Sequence, residues 1–210
     1  MTDDPTHDPR RLSAPSALRN RAAILQVLAR VAPSQGRALE IASGTGEHII
    51  VFAEQMPRLI WQPTDIDAAR IASIAAWAET KSLANLRPPK LMNAGNPGWG
   101  VTEGPVDLIN LVNLLHLIAD HQVEVLISQL AVALAPNGIA CLYGPFLRDG
   151  IATSAGDAAF HAELRAQDPA TGYKDLDWVL DRLTRAGLSI AEVAEMPANN
   201  LMIIARQPAV

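Results

Sequence analysis

The chain of 210 residues contains a single cysteine, Cys141. One thiol excludes an internal disulfide framework and leaves no thiolate cluster for zinc, and its place in an apolar run reads as buried filler. Aromatic residues make up only 4%, so the interleaved basic and aromatic stripe that grips single-stranded nucleic acid is missing. Positive charge is in short supply too: 17 Lys and Arg stand against 22 Asp and Glu, for a net charge of −5. Such a chain lacks the basic footprint that neutralises phosphates, which argues against nucleic acid and for a small molecule as partner. No stretch stays apolar for the ~18 residues of a membrane span, and the opening MTDDPTHDPRRLSAPS has no apolar core of signal-peptide length. Neither export nor membrane association is expected, and the cytoplasm is the expected compartment. Internal repeats and low-complexity tracts are lacking, and no exposed apolar stripe announces an oligomer, so the oligomeric state stays open. His7, His48, His121 and His161 fall at no spacing with carboxylates that suits a metal, and none is expected.

What is present is an ordinary globular balance, 49% apolar and 19% charged, in a length suited to one sizeable core. Residues 1–14 are polar, proline-bearing and without periodicity, and read as a flexible arm. Residues 15–210 read as one domain. Ile24, Val27, Leu28 and Val31 fall at helical spacing before Pro33, and short β-branched runs then alternate with longer helical patterns. That order argues for parallel strands joined by crossover helices. Strands are expected at residues 37–42, 59–64, around 86–92, 106–112 and 139–145, with closing strands at 188–193 and 201–205. Helices are expected at residues 47–55 and 67–82, along Val123 to Leu134, and along Leu176 to Leu183 with Gly187 as cap. Pro88 and Pro89 make the third strand irregular, an edge strand. Between Pro145 and Tyr173 the periodicity weakens, and this excursion of residues 146–173 reads as a lid.

The stretch RALEIASGTGEH runs a strand straight into two glycines. A strand, a Gly-x-Gly turn and a helix bring backbone close to a ligand, since glycine lacks a Cβ and tolerates positive φ, while the helix N-terminus favours negative charge. Taken alone, such glycines also make ordinary tight turns. The dinucleotide fingerprint wants a third glycine three residues after the second, where this chain has Ile49. In its place stands an acid inside the strand, giving Glu40-x-x-x-Gly44-x-Gly46. Asp65 follows at the end of the second strand, roughly 20 residues on, where a carboxylate accepts ribose hydroxyls. Asp67 is either a helix N-cap or a ligand.

These features resemble the class I S-adenosylmethionine-dependent methyltransferases. The resemblance implies a Rossmann-like α/β fold: a doubly wound, mostly parallel seven-stranded sheet whose last strand is antiparallel. It implies S-adenosyl-L-methionine as cofactor, bound by Glu40, Ala42, Ser43, Gly44, Gly46, Asp65, Ile66, Asn93, Ala94 and Asn113. In this set Glu40 serves the methionine ammonium, Asp65 the ribose, and Asn93 with Ala94 the adenine. Asn93 departs from the aspartate of many relatives, which keeps a hydrogen-bonding group and loses a charge. The segments EIASGTGEH, WQPTDID, NLLHL, YGPFLRDG, TSAGDAAFHAELRAQDP and MPANN are similar to a narrower group, the methyltransferase-like 26 family (domain of unknown function 938), over nearly the whole chain after residue 12. That likeness carries no settled substrate.

Methyl transfer from a sulfonium is an in-line displacement, so positioning dominates and a general base adds ~10²–10⁴-fold where the acceptor loses a proton. In an open α/β sheet the reacting groups lie beyond the C-terminal ends of the strands. His116, after the fourth strand, is either a base of suitable pKa or a wall of the pocket. Tyr143, ending the fifth strand, either orients an acceptor or closes the core. Arg148 and Asp149 at the lid entrance are read as substrate-binding, against surface pairing. Asn199 and Asn200 either anchor a turn or reach the site, and Asn199 is placed with the substrate residues. Arg19 and Asn20 cover the cofactor or merely cap the first helix. The expected function is methylation of an unidentified small molecule at oxygen, nitrogen or sulfur. The alternatives are a non-catalytic protein that binds S-adenosylmethionine and, disfavoured by Ile49 and Glu40, a nicotinamide-dependent oxidoreductase.

Overall fold

A computed structural model describes residues 8–209. His7, considered above as a metal ligand, and the first half of the arm lie outside the described residues. The fold is α/β, with a seven-stranded sheet in the order β3-β2-β1-β4-β5-β9-β8 by chain numbering of the strands defined below. The chain divides into two compact units, with the boundary between Asn93 and Ala94.

The first unit holds α1 (Pro15–Val31), β1 (Gly36–Ile41), α2 (Glu47–Gln55), β2 (Leu59–Asp65), α3 (Ala68–Ala78) and β3 (Lys90–Leu91). Pro15 starts α1, where a missing N–H costs nothing. Ile24 and Leu28 of α1, Leu39 and Ile41 of β1, Ile49 and Phe52 of α2 and Trp61 of β2 are buried without residual exposure. Burial of each such side chain contributes about 1.5–3 kcal/mol. β1 and β2 pair in parallel from Gly36 with Leu59 to Glu40 with Pro63. Pro63 has no N–H to give; beside it, Thr64 Oγ1 donates to the Glu40 carbonyl at 2.8 Å. β3 is far shorter than expected, because Pro88 and Pro89 leave Leu86 in an isolated bridge to Trp61 and only Lys90 and Leu91 in register with β2. Short strands and prolines are how sheet edges resist further pairing. α3 is also shorter than the expected 67–82 span, and Asp67 is its N-cap, accepting from Ala69 N–H at 2.7 Å.

The second unit holds α4 (Trp99–Glu103), β4 (Val106–Val112), α5 (Asp120–Ala133), β5 (Leu134–Gly144), β6 (Phe146–Leu147), α6 (Ala155–Gln167), β7 (Lys174–Asp175), α7 (Leu176–Arg185), β8 (Ser189–Glu195) and β9 (Leu201–Arg206). β4 and β5 are parallel, whereas β9 runs antiparallel to both β5 and β8. Two elements depart from the expectations. Pro136-Asn137-Gly138 does not precede the fifth strand but lies inside it, absorbed where the β4–β5 register shifts between Val106 and Leu108. The excursion after β5 is not a loop: it contains the 13-residue α6, capped by Ser154, whose hydroxyl accepts from Asp157 N–H. Helical spacing was hidden there because α6 buries only Leu164, so no apolar stripe marks it. The parallel pair β6–β7 closes the base of the excursion, matching Phe146 with Lys174 and Leu147 with Asp175. Among the described residues, no helix is long and apolar enough to cross a membrane.

Candidate functional site

In the first unit the candidate side chains collect where β1 and β2 end. Glu40 is buried in β1. Past Ile41 the backbone turns sharply: Ala42, Gly44 and Gly46 all take positive φ, at 53°, 60° and 95°. The two glycines answer to different needs. A Cβ on Gly46 would stand 2.9 Å from the Ile74 Cα, so packing on α3 alone demands glycine there. A Cβ on Gly44 would meet nothing nearer than the Ala42 carbonyl at 4.0 Å, and the space beside that peptide is open. Such a cradle fits a ligand that lies along backbone.

The turn is tied to the second strand. Ser43 N–H donates to the Thr64 carbonyl at 2.8 Å, and Gly44 N–H donates to Asp65 Oδ2 at 2.9 Å. Asp65 Oδ1 accepts from Asp67 N–H at 3.0 Å. Asp65 is 1% exposed, and Arg70 lies 3.8 Å from its Oδ2. Each carboxylate oxygen thus has one backbone donor and retains a second lone pair. Ile66, the next residue, is 59% exposed, and Leu91 of neighbouring β3 is 66% exposed. Large exposed apolar side chains at a strand end offer a flat surface to a planar ring. Asn93 closes this unit and is partly buried.

The N-terminal side of the unit borders the turn. His48 Nε2 and Asn20 Oδ1 share a hydrogen bond at 2.8 Å, joining α1 to α2, and the His48 ring stacks on Phe52 at 5.5 Å. Burial holds the His48 pKa down at about 4, so it is a neutral structural imidazole.

In the second unit, Ala94 is buried and Asn113 directly follows β4 with φ 56°, its N–H donating to the Tyr143 carbonyl at 2.8 Å. Tyr143 is buried in β5. His116 follows in a single 3₁₀ turn, Leu115–Leu117. A Cβ on Gly144, at the end of β5, would stand 3.8 Å from Asn113 Oδ1 and 3.9 Å from His116 Nδ1. The sequence therefore places an amide and an imidazole over a strand end that carries no side chain. Burial, and then the Lys174 ammonium, push the His116 pKa down to about 4. Neutral His116 can accept a hydrogen bond.

Around His116 the excursion of residues 146–173 contributes rings that sequence reasoning did not single out. Phe160 and Tyr173 meet His116 edge-on at 6.0 and 5.9 Å, and each other at 6.1 Å. The Gly172 N–H donates to the His116 carbonyl at 2.9 Å. Tyr173 Oη donates to Asp157 Oδ1 at 3.2 Å, while Asp157 Oδ2 accepts from Ser154 Oγ, Asn199 Nδ2 and Thr153 Oγ1. Burial raises the Asp157 pKa, and these hydrogen bonds outweigh it, so the carboxyl lies below its ordinary value. Lys174, buried, pairs with Asp120 at 2.7 Å. Arg148 pairs with Glu195 at 3.0 Å, and Asp149 is exposed with φ 53°. Asn199, also with positive φ, spends its amide on Asp157. Asp157, Phe160 and Tyr173 lacked a signal in the sequence, because no fixed spacing joins the first turns of a helix to the approach to β7. Among the described residues, no group of three or more His, Cys, Asp or Glu gathers as a metal site would.

Solved structures with the same fold include an O-methyltransferase family protein from Burkholderia thailandensis, with TM-score 0.77 and 16% identity, covering 92% of this chain and 58% of that one. An O-methyltransferase family 2 protein from Planctomyces limnophilus, in complex with apigenin, gives 0.71 and 16% over 89% and 61%. CalO1, a methyltransferase of calicheamicin biosynthesis in its SAH-bound form, gives 0.70 and 15% over 90% and 54%. The chain thus spans little more than half the length of these proteins. Residues 11–207 match the family described as "Protein of unknown function (DUF938)", and the chain belongs to that family.

Proposed function

We propose that the chain is an S-adenosylmethionine-dependent methyltransferase whose acceptor is a small molecule. The observation that carries this reading is the clasp of Gly44 N–H on Asp65 Oδ2, which joins the glycine turn and the second-strand acid into one backbone cradle. The fold shared with O-methyltransferases, one of them in an SAH-bound form, supports it. So does the resemblance to the methyltransferase-like 26 family, and a cytoplasmic setting belongs to the same reading.

When bound, S-adenosylmethionine supplies an electrophilic methyl group. The turn from Ala42 to Gly46 carries the methionine and adenosine portions, with Glu40 toward the ammonium, directly or through water. Asp65 offers its remaining lone pairs to the ribose hydroxyls. Ile66 would support the adenine, and Asn93, Ala94 and Asn113 are assigned to the same cofactor. His116, neutral and within reach of the space over Gly144, accepts a hydrogen bond from the acceptor and orients it, and Tyr143 shapes the same strand end. Arg148, Asp149 and Asn199 belong to acceptor recognition through the lid and the hairpin tip. Orientation supplies most of the rate, since holding reactants in a near-attack geometry replaces a bimolecular encounter.

A second reading has one observation in its favour. A pKa of about 4 makes His116 a weak base in the free protein, as expected of a protein that binds S-adenosylmethionine without turning it over. Calorimetric titration with S-adenosylmethionine, S-adenosylhomocysteine and NAD tests the cofactor; binding of NAD alone refutes the proposal. Incubation of a metabolite extract with methyl-labelled cofactor then separates the two readings. Labelled product supports transfer, and binding without product supports the second reading.

A further inference from the structure

We propose that Glu47 and Ser73 are positioning residues of the cofactor turn, and that residues 8–14 form a strap that holds both in place. The proposal rests on the reading that this turn binds S-adenosylmethionine.

Two hydrogen-bonded relays run from the strap to the turn. In the first, Leu12 N–H donates to Ser73 Oγ at 2.8 Å, and the Ser73 hydroxyl donates onward to the Thr45 carbonyl at 2.8 Å. Ser73 has no exposed surface and has both its hydrogen-bonding roles filled. In the second, the buried Glu47 carboxylate accepts from Ser13 Oγ at 2.9 Å, Ala14 N–H at 2.8 Å and Thr45 Oγ1 at 3.0 Å. Both relays therefore end on Thr45, the residue between Gly44 and Gly46. The outer part of the strap is clamped on α3: Trp77 Nε1–H donates to the Leu12 carbonyl, the Arg11 guanidinium lies 5.2 Å over the Trp77 ring, and Arg10 bonds Glu79.

The arrangement couples strap and turn in energy. Glu47 is the first residue of α2, where the helix N-terminus favours its charge. Lifting the strap removes two of the three donors to a buried carboxylate and one partner of Ser73, leaving polar groups that only water can satisfy. The turn cannot shift freely to compensate, because Gly46 is pressed against Ile74, the neighbour of Ser73 on α3. A ligand that fixes the turn must then favour the docked strap, and by linkage the docked strap favours the ligand to the same degree. A tether that only covers α3 would show no such coupling.

The experiment uses the full chain and S-adenosylhomocysteine as probe. Hydrogen exchange of residues 8–14 is measured with and without the probe, alongside its calorimetric Kd for wild type, Ser73→Ala and Glu47→Gln. We expect the probe to slow exchange in this segment several-fold in wild type. Each substitution weakens binding by about fivefold, the scale of one buried hydrogen bond, and reduces the protection of residues 8–14. Wild type that binds the probe with unchanged exchange in residues 8–14 overturns the strap while leaving the cofactor reading intact. Wild type that fails to bind removes the cofactor reading and the strap together. The wild-type exchange comparison decides the matter even if a substituted chain does not fold.

Discussion

The Gly44 amide donates to Asp65 Oδ2 at 2.9 Å, so a backbone group from the end of β1 is held by a side chain from the end of β2. The same carboxylate takes the Asp67 N–H, which orients the entry to α3. One acid thereby fixes the turn, the second strand end and the following helix start, and its replacement tests all three.

Asp65→Ala is expected to weaken S-adenosylhomocysteine binding at least tenfold, about 1.4 kcal/mol, measured by calorimetry. Because two backbone donors lose their partner, unfolding stability falls as well, by about 1–3 kcal/mol. Asp65→Asn keeps an acceptor for Gly44 and retains part of the stability. An unchanged isotherm for Asp65→Ala contradicts the placement of the sugar.

The glycines separate packing from binding. Gly46→Ala drives a methyl to 2.9 Å from the Ile74 Cα in a backbone with φ 95°, and is expected to cost roughly 1–3 kcal/mol in stability. Gly44→Ala meets open space and carries only the backbone strain of its φ of 60°, about 1 kcal/mol. Its larger effect is on cofactor affinity. Denaturant melts and titrations of the two variants check this ordering, which fails if Gly46→Ala is the milder in stability.

Acid is expected to destabilise the protein through two buried histidines. Folding depresses the pKa of His48 and of His116 from 6.5 to about 4. Above about pH 6.5 both states are neutral at these sites and the full stability is present. As the pH falls from there toward 4, the unfolded chain binds protons that the folded chain refuses, and stability drops by up to ~3 kcal/mol per histidine across the window. His161, whose pKa burial also lowers, acts in the same sense. Urea midpoints recorded from pH 7 to 4.5 fall steadily on this account. A His48→Gln, His116→Gln double variant flattens the slope; an unaltered slope refutes the assignment.

Asp157 joins α6, Tyr173 and the hairpin tip through four side-chain donors. Asp157→Ala is expected to speed hydrogen exchange in α6, which has little buried surface of its own. Cofactor affinity is expected to stay within twofold, while turnover of any identified acceptor drops. Undiminished protection of α6 contradicts the role of Asp157 as a fastener.

The sequence was most legible where burial and spacing coincide. β4 is apolar almost throughout and its span matches the expectation, as does α2, whose start follows the Gly46 turn and whose end precedes Pro57. Asp67 read as an N-cap is one. The excursion after β5 was not legible as a helix because α6 depends on its ends, Ser154 and the Asp157 cluster, and not on an apolar face. Pro136-Asn137-Gly138 carries a turn signature that β5 absorbs by pairing across it. Of the arm, residues 8–14 are held by hydrogen bonds to Ser73, Trp77 and Glu47, contacts between positions so distant in the chain that no local pattern announces them. Gly44 and Asp65 meet because their spacing sets them just past or at the ends of two adjacent parallel strands, whereas Phe160 and Tyr173 reach His116 only through tertiary packing.

The most direct test of the proposed cofactor cradle is a crystal structure of the full chain grown with S-adenosylhomocysteine. The account predicts adenosine density along Ala42 to Gly46, with the ribose hydroxyls on the Asp65 carboxylate and the base against Ile66. Density for the ligand elsewhere, or a turn whose Gly44 amide and Asp65 carboxylate have no ligand near them at saturating concentration, would contradict it.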